Sequence, residues 1–331
     1  MKINGISLEL ANLDDFEALK KIIEEWNSDS KWMTAHTSGS IGEPKAIELS
    51  KASMRDSSLI TSRYFNIPSG SSVLLALPLS FIAGKMMVVR SLVNDWNLLI
   101  TDSTLNPEIP FEQIDFAAFT PLQAENILKS QFEKFNAIGT VILGGGAIST
   151  TLLSKLKSCT NRIFATYGMT ETITHVAASE LKEQSDKLIF EALPGVEFGK
   201  DYRGCLKIVA EHLNSEEFVT NDLVTLIDPF HFQFEGRVDN VINSGGLKIF
   251  PEKIEAEIEP FLEVPFYITS IDDESLGKKV VLMIEGKLSD LEESIRLIET
   301  HFAGRVDRPR EIYCRDNFQY THTGKVLKKF F

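Results

Sequence analysis

Apolar positions recur at helical spacing in DDFEALKKIIEEW (Asp14–Trp26), where Phe16, Leu19, Ile22, Ile23 and Trp26 share one face, so an amphipathic helix is expected there. KWMTAH (Lys31–His36) reads as a strand, and Ser50 has the chemistry to cap a helix through SKASMRDSSLITSRYF, with Leu59 and Phe65 among its buried candidates. Short apolar runs then alternate with helical stretches. SVLLALPL, NLLIT, IDFAAFT, TVILGG and NRIFATYG read as strands, and FIAGKMMVVRSLV, PLQAENILKSQF and STTLLSKLKS as helices, the second opened by Pro121. Strands that are apolar throughout and separated by helices predict a mostly parallel sheet covered on both faces.

Beyond about residue 180 the texture changes to shorter, more polar pieces, KLIFEAL, GCLKIVA, LVTLID and HFQFEG, which predict a small and mostly antiparallel β subdomain. GRVDNVINSGGLKIF reads as a boundary. After it come a helix (PEKIEAEIEPFL), two strands (PFYITSI, KKVVLMIEG), a helix (SDLEESIRLIETHF), a strand (EIYCR) and a basic tail. The expected fold class is therefore α/β: layered, parallel-rich sheets with helices and a small β subdomain, followed by a small α+β module. The boundary divides the chain into 1–238 and 239–331.

Charge narrows the classes of partner. With 47 acidic against 34 basic residues in 331, the formal net charge is −13, a field that repels nucleic acid and anionic membrane surfaces. An anionic ligand would need a locally positive site. Cys159, Cys205 and Cys314 are far apart in sequence and lack metal-ligand spacing, which fits a reducing cytoplasm. The N-terminus has no apolar core of signal-peptide length, and no apolar run reaches the roughly 18 residues that a membrane-spanning helix needs.

The segment HTSGSIGEPKAIELS (His36–Ser50) concentrates the residues that hold phosphate. A Walker A loop requires six residues from its first glycine to its Gly-Lys-Ser/Thr, whereas Gly39 and Gly42 are too close, Pro44 precedes Lys45 and Ala46 follows it. No dinucleotide fingerprint is present either. What remains is Thr37, Ser38, Gly39, Ser40, Gly42 and Lys45, hydroxyls and backbone N–H groups able to wrap a triphosphate. The same composition also describes a solvated turn.

Three more stretches follow in order: TYGMTET (Thr166–Thr172), FEGRVDNVINSGGLKIFPEKIE (Phe234–Glu255) and THTGKVLKKFF (Thr321–Phe331). Together with the loop they resemble the adenylate-forming superfamily of acyl- and aryl-CoA ligases, peptide-synthetase adenylation domains and luciferases. The resemblance runs from about His36 to Lys329. It implies activation of a carboxylate by ATP, with Mg²⁺, to an acyl-adenylate, followed by thioester formation with CoA. It also implies that the 239–331 module moves about a hinge at Asp239, between adenylating and thioester-forming states.

By the same resemblance the loop Thr37–Lys45 covers the β- and γ-phosphates. Tyr167 and Gly168 lie along the adenine, Thr170 meets the α-phosphate, and Glu171 holds Mg²⁺, a hard cation suited to carboxylate and phosphate oxygens. Asp222 would take the ribose hydroxyls and Arg237 ribose or phosphate. Asn221 stands where relatives carry Gly before that Asp, a replacement that keeps access to left-handed φ. Gly245 and Gly246 would form the loop turned toward the CoA side, and Lys325 would be the adenylation lysine. Outside the resemblance, Tyr167 would be a core aromatic and Lys325 part of a frayed tail.

By the same resemblance, the acid is expected in a pocket made by Phe81, Arg90, Thr120, Gly144, Gly145 and Gly146. Phe81 falls where relatives usually carry His. Arg90 is the one charge among Met86, Met87, Val88, Val89, Leu92 and Val93, so it needs either an internal Asp or Glu or an anionic ligand. An Arg at this spacing, with Thr120, Pro121 and Gln123, resembles the o-succinylbenzoate–CoA ligases of menaquinone biosynthesis, whose substrate carries two carboxylates.

Departures from the family leave other readings open. Residue 36 is His and residue 46 Ala where relatives differ. The phosphate loop starts at residue 37, far earlier than in typical relatives, so most of the usual N-terminal subdomain is expected to be missing. Its strands would be dispensable or supplied by a second subunit, as in a homodimer. A ligase for another aryl or acyl acid, one that loads a carrier protein, and a nucleotide-binding regulatory protein without catalysis are the alternatives.

Overall fold

The computed structural model describes residues 2–3, 6–7, 13–36, 46–110, 112–181, 188–213, 217–319, 326 and 328. Its centre is one sheet of eleven strands. At one end lie Asn97–Ile100, Ser72–Leu75, Phe116–Phe119, Thr140–Leu143 and Arg162–Gly168, side by side in that order and all parallel. The sheet continues through His175–Glu180, Ile189–Ala192, His231–Arg237, Glu217–Asp228, Cys205–Ala210 and Val196–Lys200, with every pairing antiparallel. The antiparallel strands expected after residue 180 are present and extend the parallel strands as one continuous sheet. Six residues separate Gly168 from His175, enough for a reversal but far short of the dozen or more that a parallel crossover needs.

Phe116–Phe119 and Thr140–Leu143 are buried at every position, as strands covered on both faces must be. The helices Leu13–Asn27 and Lys51–Phe65 both pack on Ile82–Asn94, while Pro121–Ser130 packs on Phe132–Asn136 and Thr150–Leu156. Right-handed crossovers place these groups on opposite faces. From Ser72–Leu75 the chain steps outward to Asn97–Ile100, then returns to the other side of Ser72–Leu75 and steps the opposite way. The order of strands thus reverses between Ser72–Leu75 and Phe116–Phe119, and a crevice opens beyond their carboxyl ends, the usual ligand position in such sheets.

Three elements depart from the pattern read in the sequence. The single helix expected through PLQAENILKSQF is two, because Gln131 leaves helical geometry at φ −139°. Ala46–Ser50 is a strand paired antiparallel with Trp32–His36, His36 opposite Ala46. Five residues that double as a helix cap leave too short an alternation to read. The segment PEKIEAEIEPFL is an α-helix only over Pro251–Ile258, followed by a 3-10 turn at Glu259–Phe261 that contains Pro260.

Apolar packing forms two main cores. One runs from Leu19 to Phe232 and includes an aromatic group in which Phe65, fully buried, meets Tyr64, Phe116, Phe164 and His175 edge-on or tilted. The other, from Ile242 to Phe302, lies under the antiparallel strands Phe266–Asp273 and Gly277–Glu285. Among the described residues no helix is long and apolar enough to cross a membrane. Phe65→Ala should empty the centre of the first core and lower unfolding free energy by about 3–5 kcal/mol. Urea titration followed by tryptophan fluorescence would measure the shift.

Candidate functional site

The carboxyl ends of the parallel strands carry most of the described residues singled out from the sequence. Thr120 follows Phe116–Phe119 and caps the next helix. Its side chain accepts from Gln123 N at 3.2 Å, and Gln123 Oε1 accepts from Thr120 N at 3.0 Å. Gln123 Nε2 donates to Ala76 O (2.8 Å) and Thr104 O (2.9 Å), which ties the two strands at the reversal point. The Thr120 hydroxyl is thus already engaged in a structural bond. Gly144–Gly146 follow Thr140–Leu143 and run past Pro121. Gly145 adopts φ +78°, so the turn here needs a residue free of Cβ strain.

Phe81 is half-buried at the N-cap of Ile82–Asn94, on whose third turn Arg90 sits. Helical side chains lean toward the N-terminus, so Arg90 points back along the helix toward the strand ends. It is 2% exposed. Among the described residues, Nη2 donates to Thr174 Oγ1 at 2.7 Å and lies 3.4 Å from His175 Nδ1, Nη1 meets only Met87 Sδ at 3.8 Å, and Nε has no partner. Among the described residues, no internal Asp or Glu, the open alternative, is one of its partners. Burial without an opposing carboxylate pushes its pKa down to about 9, still cationic at neutral pH.

TYGMTET forms the reversal between Arg162–Gly168 and His175–Glu180. Gly168 is required by close approach, since a Cβ there would lie 2.2 Å from Thr174 O. Thr172 is fully buried and bonds Met169 and Thr174 through its hydroxyl. Ile173, β-branched and buried, is held at φ +67° in a three-residue turn closed by Thr174 N donating to Thr172 O at 2.7 Å. This γ-type turn costs on the order of 1–3 kcal/mol and persists only when its surroundings over-determine it. Thr170 is half-buried and Glu171 exposed on its outer side, where a lone carboxylate with phosphate oxygens fits the ligand needs of Mg²⁺.

On the antiparallel side, Asp222 and Arg237 are register partners, and the sheet brings them beside Tyr167. Tyr167 donates to Asp222 Oδ2 at 2.5 Å, and Arg237 donates to Asp222 Oδ1 at 3.3 Å and Asp239 Oδ2 at 2.9 Å. Asn221 also donates to Asp239, at 3.1 Å. Burial and the adjacent carboxylate push the Tyr167 phenol well above its usual range. The tyrosine stays half-buried, its ring edge-on to Phe190 and Phe232.

Asp239 lies in the 3-10 turn Val238–Asn240, between the two cores. Gly245 and Gly246, at φ +55° and +82°, make the two-residue hairpin turn joining Ile242–Ser244 to Leu247–Ile249. Glu259 reaches from the second module to the segment after Gly146, accepting from Thr150 N at 2.8 Å and Thr151 N at 3.3 Å. Thr37, Ser38, Gly39, Ser40, Gly42, Lys45 and Lys325 lie outside the described residues. The stem of their loop is well tied, however. Glu25 accepts from Thr34 N at 2.9 Å and Lys85 donates to Thr34 O at 2.6 Å. Thr174, His175 and Thr61 escaped the sequence reading. A histidine opening the apolar run HVAAS was the available signal.

The profile of the AMP-binding enzyme family matches residues 7–198. A 2-succinylbenzoate–CoA ligase of Listeria monocytogenes serotype 4b is 26% identical, over 98% of this chain and 74% of its own length. A feruloyl-CoA synthase of an Amycolatopsis species is 23% identical, over 91% and 69%. The crystal structure of an acyl-CoA synthetase (AMP-forming)/AMP-acid ligase II-like protein from Dyadobacter fermentans superposes with a TM-score of 0.63 at 33% identity, over 95% of this chain and 92% of that one. The chain belongs to the AMP-binding enzyme family, the adenylate-forming enzymes that its motifs resemble.

Tyr167→Phe should leave Asp222 with Arg237 alone and cost about 1.5–3 kcal/mol, since the lost bond is to a charged group. The raised phenol also sets a pH dependence. The unfolded tyrosine ionises near pH 10 and the folded one higher, so its contribution is complete below about pH 10 and fades above it. Urea titrations at pH 8 and pH 11 should show a smaller alkaline loss in the variant.

Proposed function

We propose that this protein is an AMP-forming acid–CoA ligase whose acid is o-succinylbenzoate. The observation that carries the nucleotide half is the convergence of Tyr167, Asp222 and Arg237 beside the TYGMTET turn. Asp222 offers a carboxylate to two ribose hydroxyls, Tyr167 a flat face for adenine, and Arg237 a cation close by. Thr170 and Glu171 stand at the next positions along the chain, where the α-phosphate and its Mg²⁺ would be held.

In the first step a carboxylate oxygen of the acid attacks the α-phosphorus and the bond to pyrophosphate breaks, leaving an acyl-adenylate. In the second the CoA thiolate attacks the acyl carbonyl and AMP departs. Little covalent work falls to the protein, so positioning and charge neutralisation dominate. Thr37–Lys45 would clamp the departing pyrophosphate and Lys325 would neutralise charge at the α-phosphate and carboxylate. The 1–238 part would carry adenylation, with 239–331 moving about Asp239 to present Gly245 and Gly246 to the thioester step.

The acid assignment rests on Arg90. A buried guanidinium without a carboxylate partner is costly, and a second carboxylate on the substrate would offset that cost. Phe81, Thr120 and Gly144–Gly146 supply an apolar wall and small residues along which a flat ring can lie. The feruloyl-CoA synthase relative favours a second reading, a ligase for a monocarboxylic aryl acid.

Pyrophosphate release with a panel of acids, with and without CoA, separates the readings. Release with o-succinylbenzoate and not with benzoate is expected, and the reverse would sink the dicarboxylate assignment. Arg90→Ala should raise KM for o-succinylbenzoate at least tenfold, the size of a lost bond to a charged group. An unchanged KM would remove Arg90 from the acid site. Lys325→Ala should abolish most pyrophosphate release while leaving conversion of added acyl-adenylate and CoA to acyl-CoA and AMP largely intact.

A further inference from the structure

The polar groups under the TYGMTET turn form one connected chain of hydrogen bonds. Thr61 Oγ1 donates to Ser57 O at 2.9 Å and so has no hydrogen left for His175. With its hydrogen on Ser57 O, it accepts from His175 Nε2, 3.1 Å away. Burial and the neighbouring Arg90 keep the imidazole neutral, so its Nδ1 is a bare acceptor. Thr174 Oγ1, at 3.3 Å, donates to it, and Arg90 Nη2 donates to Thr174 Oγ1 at 2.7 Å. The relay runs Arg90, Thr174, His175, Thr61, Ser57 O, and joins the helices Ile82–Asn94 and Lys51–Phe65 through the base of the turn.

We propose that Thr174 and His175 are positioning residues for ATP: they anchor the strained Ile173 turn to Arg90, and so set where Thr170 and Glu171 stand. Thr174 is the residue through which this is transmitted. Its backbone N–H closes the turn on Thr172 O, its carbonyl fills the space left by Gly168, and its hydroxyl takes the cation. A hydrogen bond to a buried cation is of the same order as the strain of the turn, so the relay is strong enough to decide its conformation. One residue, Arg90, then touches both the acid pocket and the mount of the nucleotide turn, so the two substrates are coupled through it.

This rests on the nucleotide reading above but not on the identity of the acid, so the test is MgATP binding by calorimetry with no acid present. Thr174→Val, which keeps shape and loses the hydroxyl, should weaken MgATP at least tenfold, and Thr174→Ser should stay within about twofold. His175→Asn, which keeps an acceptor at the Nδ1 position, should retain more affinity than His175→Leu. Arg90→Met combined with Thr174→Val should cost less than the two separate losses added together, because both break the same bond. Wild-type MgATP affinity in Thr174→Val with only a lowered melting temperature would make the relay merely structural and overturn the proposal. Equal losses in the Val and Ser variants, or additive losses in the pair, would do the same. No MgATP binding by the unaltered chain would remove the nucleotide reading itself, and this proposal with it.

Discussion

The reversal at Gly168–His175 is the constraint on which the rest of the architecture depends. On one side of it every strand is parallel, so strand ends converge on a single edge where loops can carry chemistry. On the other side the strands alternate, which returns Asp222 and Arg237 to that same edge from hairpins far along the chain. The turn that achieves this has no room for a side chain at residue 168 and holds Ile173 at positive φ. Such a conformation is kept by its neighbours and not by its own propensity. The buried bonds of Thr172, Thr174, His175 and Arg90 are those neighbours.

Electrostatics places a second demand on the same region. An acidic chain of net charge −13 must concentrate positive charge wherever an anionic ligand is to bind. Arg237 is shared between Asp222 and Asp239, and Arg90 is buried with only neutral partners among the described residues. The cost of Arg90 is the more informative of the two. A buried cation is costly to keep, and the bonds of this guanidinium lead through Thr174 to the Ile173 turn.

The Glu259 contact adds a link between the two apolar cores. A carboxylate from the second module accepts the first backbone N–H groups of Thr150–Leu156, the helix that follows Gly144–Gly146. These N–H groups have no partner within their own helix, so the contact satisfies them while joining the segment after Gly146 to the second apolar core.

Much of the framework was legible in the sequence because it rests on local patterns. Apolar runs announced the parallel strands, Ser50 and Thr120 announced helix starts, and four motifs in order announced the family. The strand Ala46–Ser50 and the break at Gln131 were not legible, since a five-residue alternation and one non-helical φ leave no periodic signal. For the site, the sequence determined residue types: a glycine before the turn, an Asp and an Arg fifteen residues apart, a lone Arg in an apolar helix. Only the tertiary structure decided which of these meet. Asp222 reaches Tyr167 because two hairpins fold back onto one sheet, and Arg90 meets Thr174 because a helix from one face leans under a turn some eighty residues later. Hydrogen bonds between distant segments have no sequence period, so burial and register had to be seen before these partners could be named.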